Sequence, residues 1–304
     1  MNPDTTTTQS FVTDGGLETD LIFNHGIDLP DFAAFPLVDS EGGRERLSAY
    51  FDDYAAIAEQ AGLPLLLETP TWRASSDWGT RLGYDAAALD RANRASVELL
   101  HETATRWSGR LAALKVSGQV GPRGDGYRPG ATVVPEDAAA YHRPQVASLH
   151  AAGADIITAL TLTGVGEAIG IAMAATDVGI PYALGFTVET DGRLPDGTPV
   201  PEAVAAVDAV TPPEYFLLNC AHPTHIDKGL DDGAWRERIH GLRVNASALS
   251  HAELDESEEL DAGDPARLAE DVAALRLALP AVGIVGGCCG TDARHVAAMW
   301  GVAV

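Results

Sequence analysis

The sequence predicts a single (β/α)8 barrel, a fold of the α/β class. Eight short runs rich in aliphatic and β-branched residues recur along its 304 residues. Alanine-rich stretches between them repeat apolar residues at spacings of three and four, which is typical of amphipathic helices. Strands that are apolar on both faces and alternate with helices indicate a parallel sheet covered on both sides. Eight such units in one chain favour a closed barrel.

The eight predicted strands are spread over the whole chain. They are residues 11–16 (FVTDGG), 63–69 (LPLLLET), 111–118 (LAALKVSG), 154–161 (ADIITALT), 181–188 (PYALGFTV), 214–220 (EYFLLNC), 241–247 (GLRVNAS) and 282–287 (VGIVGG). An open, doubly wound sheet is the alternative fold, because counting strands from a single sequence is uncertain.

Five amphipathic stretches are the clearest predicted helices, and several end at a glycine that can act as a C-cap. They are residues 44–62, 85–107, 136–153, 164–179 and 265–279. No linker or low-complexity segment divides the chain, so we predict a flexible N-terminus at 1–10 followed by one domain at 11–304. The acidic stretch 251–264 is predicted to be a solvated loop.

The charge balance excludes some classes of partner. Forty-four acidic residues against twenty basic ones give a formal charge of −24, which repels phosphate backbones and anionic membrane surfaces. We therefore expect neither nucleic acid nor a membrane as a partner. No signal peptide and no membrane-spanning apolar run is visible, and three cysteines make a poor disulfide framework. These features together predict a cytoplasmic protein.

The three cysteines follow predicted strands. Cys220 ends the sixth strand, and Cys288 and Cys289 follow the eighth. In a parallel barrel these strand ends share one rim, and the glycines around the adjacent pair permit both thiols to turn toward one point. Three converging thiolates need a cation, and Zn²⁺ fits because it accepts three sulfur ligands and keeps one open position. The alternatives are buried apolar cysteines, a vicinal disulfide or a redox site.

An open zinc position bounded by thiolates suits a thiol substrate. Bound zinc lowers the pKa of a thiol and holds it as the nucleophilic thiolate. The reaction that this arrangement favours is attack of the sulfur on an electrophilic carbon.

Several motifs resemble the homocysteine S-methyltransferase family. NC at 219–220 and GGCCGT at 286–291 resemble its zinc motifs, and similar segments occur at 14–21 (DGGLETDL), 117–127 (SGQVGPRGDGY) and 186–200 (FTVETDGRLPDGTPV). The resemblance implies a (β/α)8 barrel with Zn²⁺ held by Cys220, Cys288 and Cys289. It also implies a methyltransferase that transfers a methyl group to homocysteine and yields methionine.

The same resemblance implies how the amino-acid part of the acceptor is held. Asp14 would attract its ammonium group, and the backbone amides near Gly15 and Gly16 would bind its carboxylate. The alternative for Asp14 is a purely structural loop cap.

Three further residues are placed at the site by the resemblance. Trp72 occupies a position where the family often has an aromatic residue near the reacting sulfur, and an aromatic face attracts a methylated cation. Asn219 would position the metal loop through its amide, and Asn245, after the seventh strand, would face the site. Ordinary packing is the alternative for Trp72, and a structural role at the end of a strand is the alternative for Asn219.

One departure from the family pattern concerns the acceptor. The family commonly has a Glu-Thr pair at the end of the fourth strand, where the Glu binds the amino group, but this chain has Leu160 and Thr161. We hypothesise that Glu68, at the end of the second strand, replaces the missing charge, or that the acceptor is not homocysteine. Losing a charge-assisted hydrogen bond would cost about 1.5–3 kcal/mol, enough to change substrate preference.

The length of the sequence also guides the expected donor. It leaves no room for separate cobalamin and folate modules, so we expect a freely diffusing donor such as S-methylmethionine, S-adenosylmethionine or a betaine. One alternative is the same chemistry on another thiol, a selenol or another methylated compound. A second alternative is a non-catalytic metal-binding barrel.

Overall fold

The computed structural model describes residues 9–126, 133–257 and 259–303. Within these residues eight parallel strands form a closed barrel, in which each strand pairs with the next and the eighth pairs with the first. The predicted (β/α)8 fold is confirmed, and the open-sheet alternative is wrong. Most of the segment 1–10, predicted to be flexible, lies outside the described residues.

Each predicted strand corresponds to an observed strand. They are β1 (Phe11–Thr13), β2 (Leu65–Glu68), β3 (Leu114–Val120), β4 (Ile156–Leu162), β5 (Tyr182–Phe186), β6 (Tyr215–Asn219), β7 (Ile239–Val244) and β8 (Ile284–Gly287). The seam of the barrel is closed by Val12, which pairs with Val285 of β8 on one side and with Leu65 of β2 on the other.

The helices lie between the strands along the chain. They are α1 (Leu17–Thr19), α2 (Glu41–Ala61), α3 (Ser76–Arg81), α4 (Ala86–Arg106), α5 (Pro135–Ala151), α6 (Val165–Val178), α7 (Val200–Asp208), α8 (Pro223–Lys228), α9 (His251–Asp255), α10 (Pro265–Ala278) and α11 (Ala293–Trp300). The five predicted helices match α2, α4, α5, α6 and α10. Gly62 and Gly179 end α2 and α6 in the left-handed conformation, as expected of C-caps.

The prediction of a loop over 251–264 is wrong in its first part, because α9 lies there. Its N-terminus is fixed by a capping box, in which the Ser250 hydroxyl accepts a hydrogen bond from the Glu253 amide while the Glu253 carboxylate accepts one from the Ser250 amide. The acidic composition of the stretch hid this start signal.

The barrel interior is apolar at the amino-terminal ends of its strands. Six side chains from six strands pack together there, namely Phe11, Leu66, Ile156, Ala183, Leu217 and Ile284. A filled interior places chemistry at the opposite rim, where the strands end in polar residues. None of the helices in the described residues combines the length and the apolarity that crossing a membrane requires.

Candidate metal and substrate site

The sulfur atoms of Cys220, Cys288 and Cys289 converge at the carboxyl-terminal rim. All three lie within 4.8 Å of one another, and the Sγ atoms of Cys220 and Cys289 are 3.6 Å apart. Tetrahedral zinc with Zn–S bonds of about 2.3 Å holds its sulfurs about 3.8 Å apart. A disulfide requires about 2.05 Å, and all three cysteines are free, so the vicinal disulfide is not formed. The donor set and its spacing fit a soft divalent metal.

Backbone hydrogen bonds to β1 and β7 fix the loop that carries the adjacent pair. The Gly287 amide donates to the Asp14 carbonyl at 2.9 Å, and the Cys288 amide donates to the Val244 carbonyl at 2.8 Å. The Cys289 carbonyl accepts from the Ala246 amide at 3.0 Å. Gly290 then takes a φ of +80°, the left-handed turn that was expected beside the pair. Neighbouring residues on the chain can therefore present both thiols to one point.

Cys220 has a left-handed backbone with a φ of 54°, which is unusual for a residue with a side chain. Its carbonyl accepts hydrogen bonds from Thr187 Oγ1 at 3.1 Å and His251 Nε2 at 2.7 Å. The preceding Asn219 accepts from the Thr161 amide at 2.9 Å and donates to its hydroxyl at 3.0 Å. The Asn219 side chain thus fixes the end of β4 and does not hold the metal loop, unlike the expectation.

Mutual contact shifts the acidities of the thiols in opposite directions. Hydrogen bonds from Cys220 and Cys289 lower the pKa of Cys288, and Arg243 also favours its thiolate. The pKa of Cys289 is raised, because it contacts Cys220 and Cys288 and is buried. Without a cation the cluster thus favours one thiolate, whereas a bound divalent ion stabilises several.

Two adjoining cavities meet at the sulfur cluster. The inner one has a volume of about 40 Å³ and is lined by residues 14–19, Phe32, Trp72, Gln119, Leu160, Thr161, Arg243 and the three cysteines. The outer one has a volume of about 510 Å³. Thr19, Phe32, Trp72 and Cys289 line both cavities, so a ligand in either lies next to the sulfurs.

Asp14 lines the inner cavity, but its charge is already matched. Its Oδ1 accepts from Arg243 Nη1 at 2.6 Å and from the Thr13 hydroxyl at 3.2 Å, and its Oδ2 accepts from the Tyr50 hydroxyl at 3.3 Å. Arg243 also donates to the carbonyls of Gly15 at 3.1 Å and Gly287 at 3.2 Å. Asp14 is therefore part of a buried ion pair that joins β1, β7 and β8. This arrangement disfavours its predicted role as an ammonium ligand.

Gly16 serves a steric purpose. A Cβ atom at this position would overlap the Cys288 carbonyl oxygen, so only glycine lets the loop after β1 approach the metal loop. Its own amide donates to the Thr291 carbonyl at 3.1 Å, so any contact with a substrate carboxylate would have to come from other amides of this loop. Gly15 lines the inner cavity, as expected.

Glu68 lies inside the barrel and is not among the residues that line the inner cavity. Its Oε1 is 4.0 Å from Arg243 Nη1, and the hydroxyls of Ser117 and Thr158 lie near enough to favour its carboxylate form. The nearby hydroxyls of Ser117 and Thr158 bond to each other at 2.7 Å. Burial raises the pKa of Glu68 to about 7, against the opposing charge of Arg243. The geometry therefore gives no support to Glu68 as the substitute acceptor ligand.

The raised pKa of Glu68 predicts a pH-dependent stability. Between about pH 4.5 and 7 the folded chain keeps a proton on Glu68 that the unfolded chain releases, so the free energy of unfolding falls as pH rises through this window. We expect Glu68→Gln to make this fall less steep by about 1.4 kcal/mol per pH unit. Urea unfolding of the metal-free protein from pH 4.5 to 8 measures it. Parallel curves for the two proteins would contradict the prediction.

Trp72 and Asn245, the remaining predicted residues, differ in position. Trp72 lines both cavities and donates from its indole nitrogen to the Leu160 carbonyl at 3.3 Å, so it stands beside the sulfurs as expected. Asn245 is buried and does not line either cavity. Its backbone N–H donates to the Ala221 carbonyl at 3.1 Å, which indicates a role in supporting the strand ends.

Sequence reasoning missed two charged residues of the inner cavity. Arg243 is the one permanently charged residue of strand β7, and such a residue at a buried strand position is a signal that could have identified it. Glu18 lies within the DGGLETDL motif, two positions after the last residue that the resemblance emphasised there, and it lines the inner cavity. Burial, together with the negative charges of Cys288 and Asp14, raises the pKa of Glu18 to about 7, although its own backbone N–H lowers it.

Comparison with known proteins gives consistent matches. The sequence model of the homocysteine S-methyltransferase family matches residues 11–302. A protein of Escherichia coli (strain K12) named homocysteine S-methyltransferase is 29% identical over 242 residues, which cover 72% of this chain and 75% of the relative.

Solved structures show the same fold. The metallated form of the homocysteine methyltransferase MmuM from Escherichia coli superposes with a TM-score of 0.76 at 22% identity, covering 97% of this chain and 96% of that one. The apo form gives a TM-score of 0.69, also at 22% identity, over 96% of this chain and 95% of that one.

Proposed function

The chain belongs to the homocysteine S-methyltransferase family and is a methyltransferase, and on this premise we propose the details of its reaction. The proposed reaction moves a methyl group from a small cationic donor to the sulfur of homocysteine, giving methionine. The cofactor we propose is Zn²⁺, held by Cys220, Cys288 and Cys289.

The observation that carries this proposal is the position of the sulfur cluster at the junction of two cavities. The inner cavity contains both charged and neutral polar groups, which suits the charged ends of an amino-acid acceptor. The outer cavity is larger and half of its lining residues are polar or charged, which suits the donor. A donor methyl placed beside Phe32 and Trp72 lies next to an acceptor sulfur at the cluster.

The chain's residues supply alignment and charge. Zinc held by the three cysteines would lower the pKa of the acceptor thiol, so that the acceptor is present as a thiolate. The acceptor sulfur forms a bond to the methyl carbon as the donor heteroatom leaves with the electron pair. The walls shared by both cavities hold the two reactants in line, which replaces a bimolecular encounter by a positioned one. The rings of Phe32 and Trp72 limit the access of water to the reacting atoms.

The charges of the outer cavity favour a cationic donor. Its carboxylates outnumber its guanidinium groups by four to two, as Asp31, Asp125, Glu259 and Asp261 line it together with Arg73 and Arg81. Arg73 and Arg81 stack on the Trp78 ring, at 3.8 Å and 4.8 Å from its centroid. Trp78 thus contacts two guanidinium groups, whereas Trp72 contacts one, that of Arg73 at 4.9 Å from its ring centroid. Because Trp72 also lines both cavities, it is the aromatic residue that we propose to contact a sulfonium or quaternary ammonium.

Metal analysis combined with a donor panel tests the proposal. We expect about one zinc per chain and methionine formed from homocysteine with S-methylmethionine, S-adenosylmethionine or glycine betaine. Transfer that stops on chelation and returns with added zinc would support the metal's role. Zinc-loaded protein that methylates only other thiols would overturn homocysteine as the acceptor.

A further inference from the structure

The inner cavity has three charged side chains in its lining, and their pairing decides which of them can bind a charged acceptor. They are Asp14, Glu18 and Arg243. Asp14 and Arg243 neutralise each other at 2.6 Å. The remaining lining residues are neutral apart from the cysteines, and Leu160 among them has no hydrogen-bonding side chain. Glu18 is therefore the charged side chain of this lining that has no ion-pair partner within the lining, although the charge of Arg73 in the outer cavity acts on it.

The surroundings of Glu18 are consistent with a ligand contact. It is the second residue of α1, two positions after Gly16, and its side chain is partly exposed. Its carboxylate makes no ion pair or hydrogen bond with another side chain among the described residues, although it contacts its own backbone N–H. No carboxylate in the described part of the chain joins the three sulfurs as a further metal-ligand candidate. A ligand that enters the cavity is therefore the contact available to the Glu18 carboxylate.

We propose that Glu18 is the specificity-determining residue that binds the ammonium group of the acceptor, in place of a carboxylate at position 160. This inference rests on the proposed function, because it requires a thiol acceptor in the inner cavity. It replaces the earlier hypothesis for Glu68, which lies outside the cavity lining. The acceptor class it defines is a thiol that also bears a primary ammonium group.

The pKa of Glu18 agrees with such a contact. A carboxylate whose pKa lies near 7 because of burial gains most from a nearby cation, since the cation restores the interaction that water had provided. An ammonium group donates a charge-assisted hydrogen bond to it. An acceptor without the amino group would leave the carboxylate buried against an apolar ligand.

Isothermal titration of the zinc-loaded full chain tests this inference. The two probes are homocysteine and 4-sulfanylbutanoate, which keeps the thiol and the carboxylate and lacks only the ammonium. We expect the wild type to bind homocysteine about 10- to 100-fold more tightly. The Glu18→Gln variant should lose this preference through weaker binding of homocysteine, with binding of 4-sulfanylbutanoate unchanged or tighter.

Two further variants separate recognition from a structural effect. Glu18→Asp should keep part of the preference, and Leu160→Glu added to Glu18→Gln should restore it, because both positions line the same cavity. Zinc content equal to the wild type serves as the check of folding. A structural role would change zinc content or the binding of both probes together and would not be rescued by a charge at position 160.

The outcomes distinguish the inference from the proposed function. Equal homocysteine binding by the wild type and Glu18→Gln overturns the role of Glu18 and leaves the methyl transfer standing. Equal binding of both probes by the wild type does the same, because the site then ignores the ammonium. Zinc-loaded wild type that binds neither probe overturns both proposals.

Discussion

Replacing Cys220 by serine should abolish methyl transfer and metal binding together. Cys220 is the sole sulfur contributed by β6, and it lies 3.6 Å from Cys289. A serine hydroxyl is a poor ligand for a soft metal and does not ionise at neutral pH. Removing a residue that only hydrogen-bonds to a metal ligand already lowers metal affinity or activity by about 10–100-fold. We therefore expect loss of the ligand itself to lower kcat/KM by more than about 100-fold. Zinc content and initial rates on the same samples measure the effect.

The matched control introduces the same side chain away from the site. Leu277→Ser lies on α10, where the side chain is 88% exposed, and should keep wild-type zinc content and rate. The left-handed φ of Cys220 is permitted to serine as much as to cysteine, so backbone strain does not confound the comparison. A Cys220→Ser protein that retained both one zinc per chain and full activity would remove this thiol from the proposed metal site.

Arg243→Met should destabilise the fold more than any surface substitution. Asp14 and Glu68 are each only 2% exposed, and the substitution leaves both buried without their cation. The negative charges of these two carboxylates raise the pKa of Arg243, overcoming the burial that alone would lower it. Removing one partner of a buried pair costs about 3–5 kcal/mol. Urea unfolding at pH 8 measures the loss.

Two further variants show whether that loss of stability comes from the buried ion pair. Arg44→Met makes the same change in a half-exposed pair, where Arg44 Nη2 lies 2.9 Å from Glu102, and should cost less than about 1 kcal/mol. Adding Asp14→Asn to Arg243→Met should recover part of the stability, because it removes a stranded charge. Equal losses for Arg243→Met and Arg44→Met would show that the buried pair contributes no more than a surface pair.

The barrel and its sulfur cluster could be predicted because their signals are local. A strand buried on both faces is a continuous apolar run, so all eight strands were visible in the sequence. The ends of parallel strands share one rim, which brought Cys220 together with the pair at 288–289 across 68 residues. Helix α9 was missed because its capping box lies in a stretch where most residues are polar or charged.

The charge pairing inside the cavity could not be predicted in the same way. The role of Asp14 depends on Arg243, which lies 229 positions away in the sequence, and no local pattern reports that contact. The amide of Asn219 likewise depends on Thr161, across 58 positions. Glu18 and Glu68 look alike in sequence, yet one lines the cavity and the other lies outside its lining.

The seam between β1 and β8 has a consequence for the order of assembly. The loop that carries Cys288 and Cys289 is held by the Asp14 carbonyl through the Gly287 amide and by the Gly16 amide through the Thr291 carbonyl, so its shape depends on the segment that follows β1. Contacts between chain ends form slowly, because the longest loop must close first. The three sulfurs therefore come into register only after the last strand has docked on the first. Metal binding at the proposed site thus requires a closed barrel, because an open seam between β8 and β1 leaves the sulfurs without their relative positions.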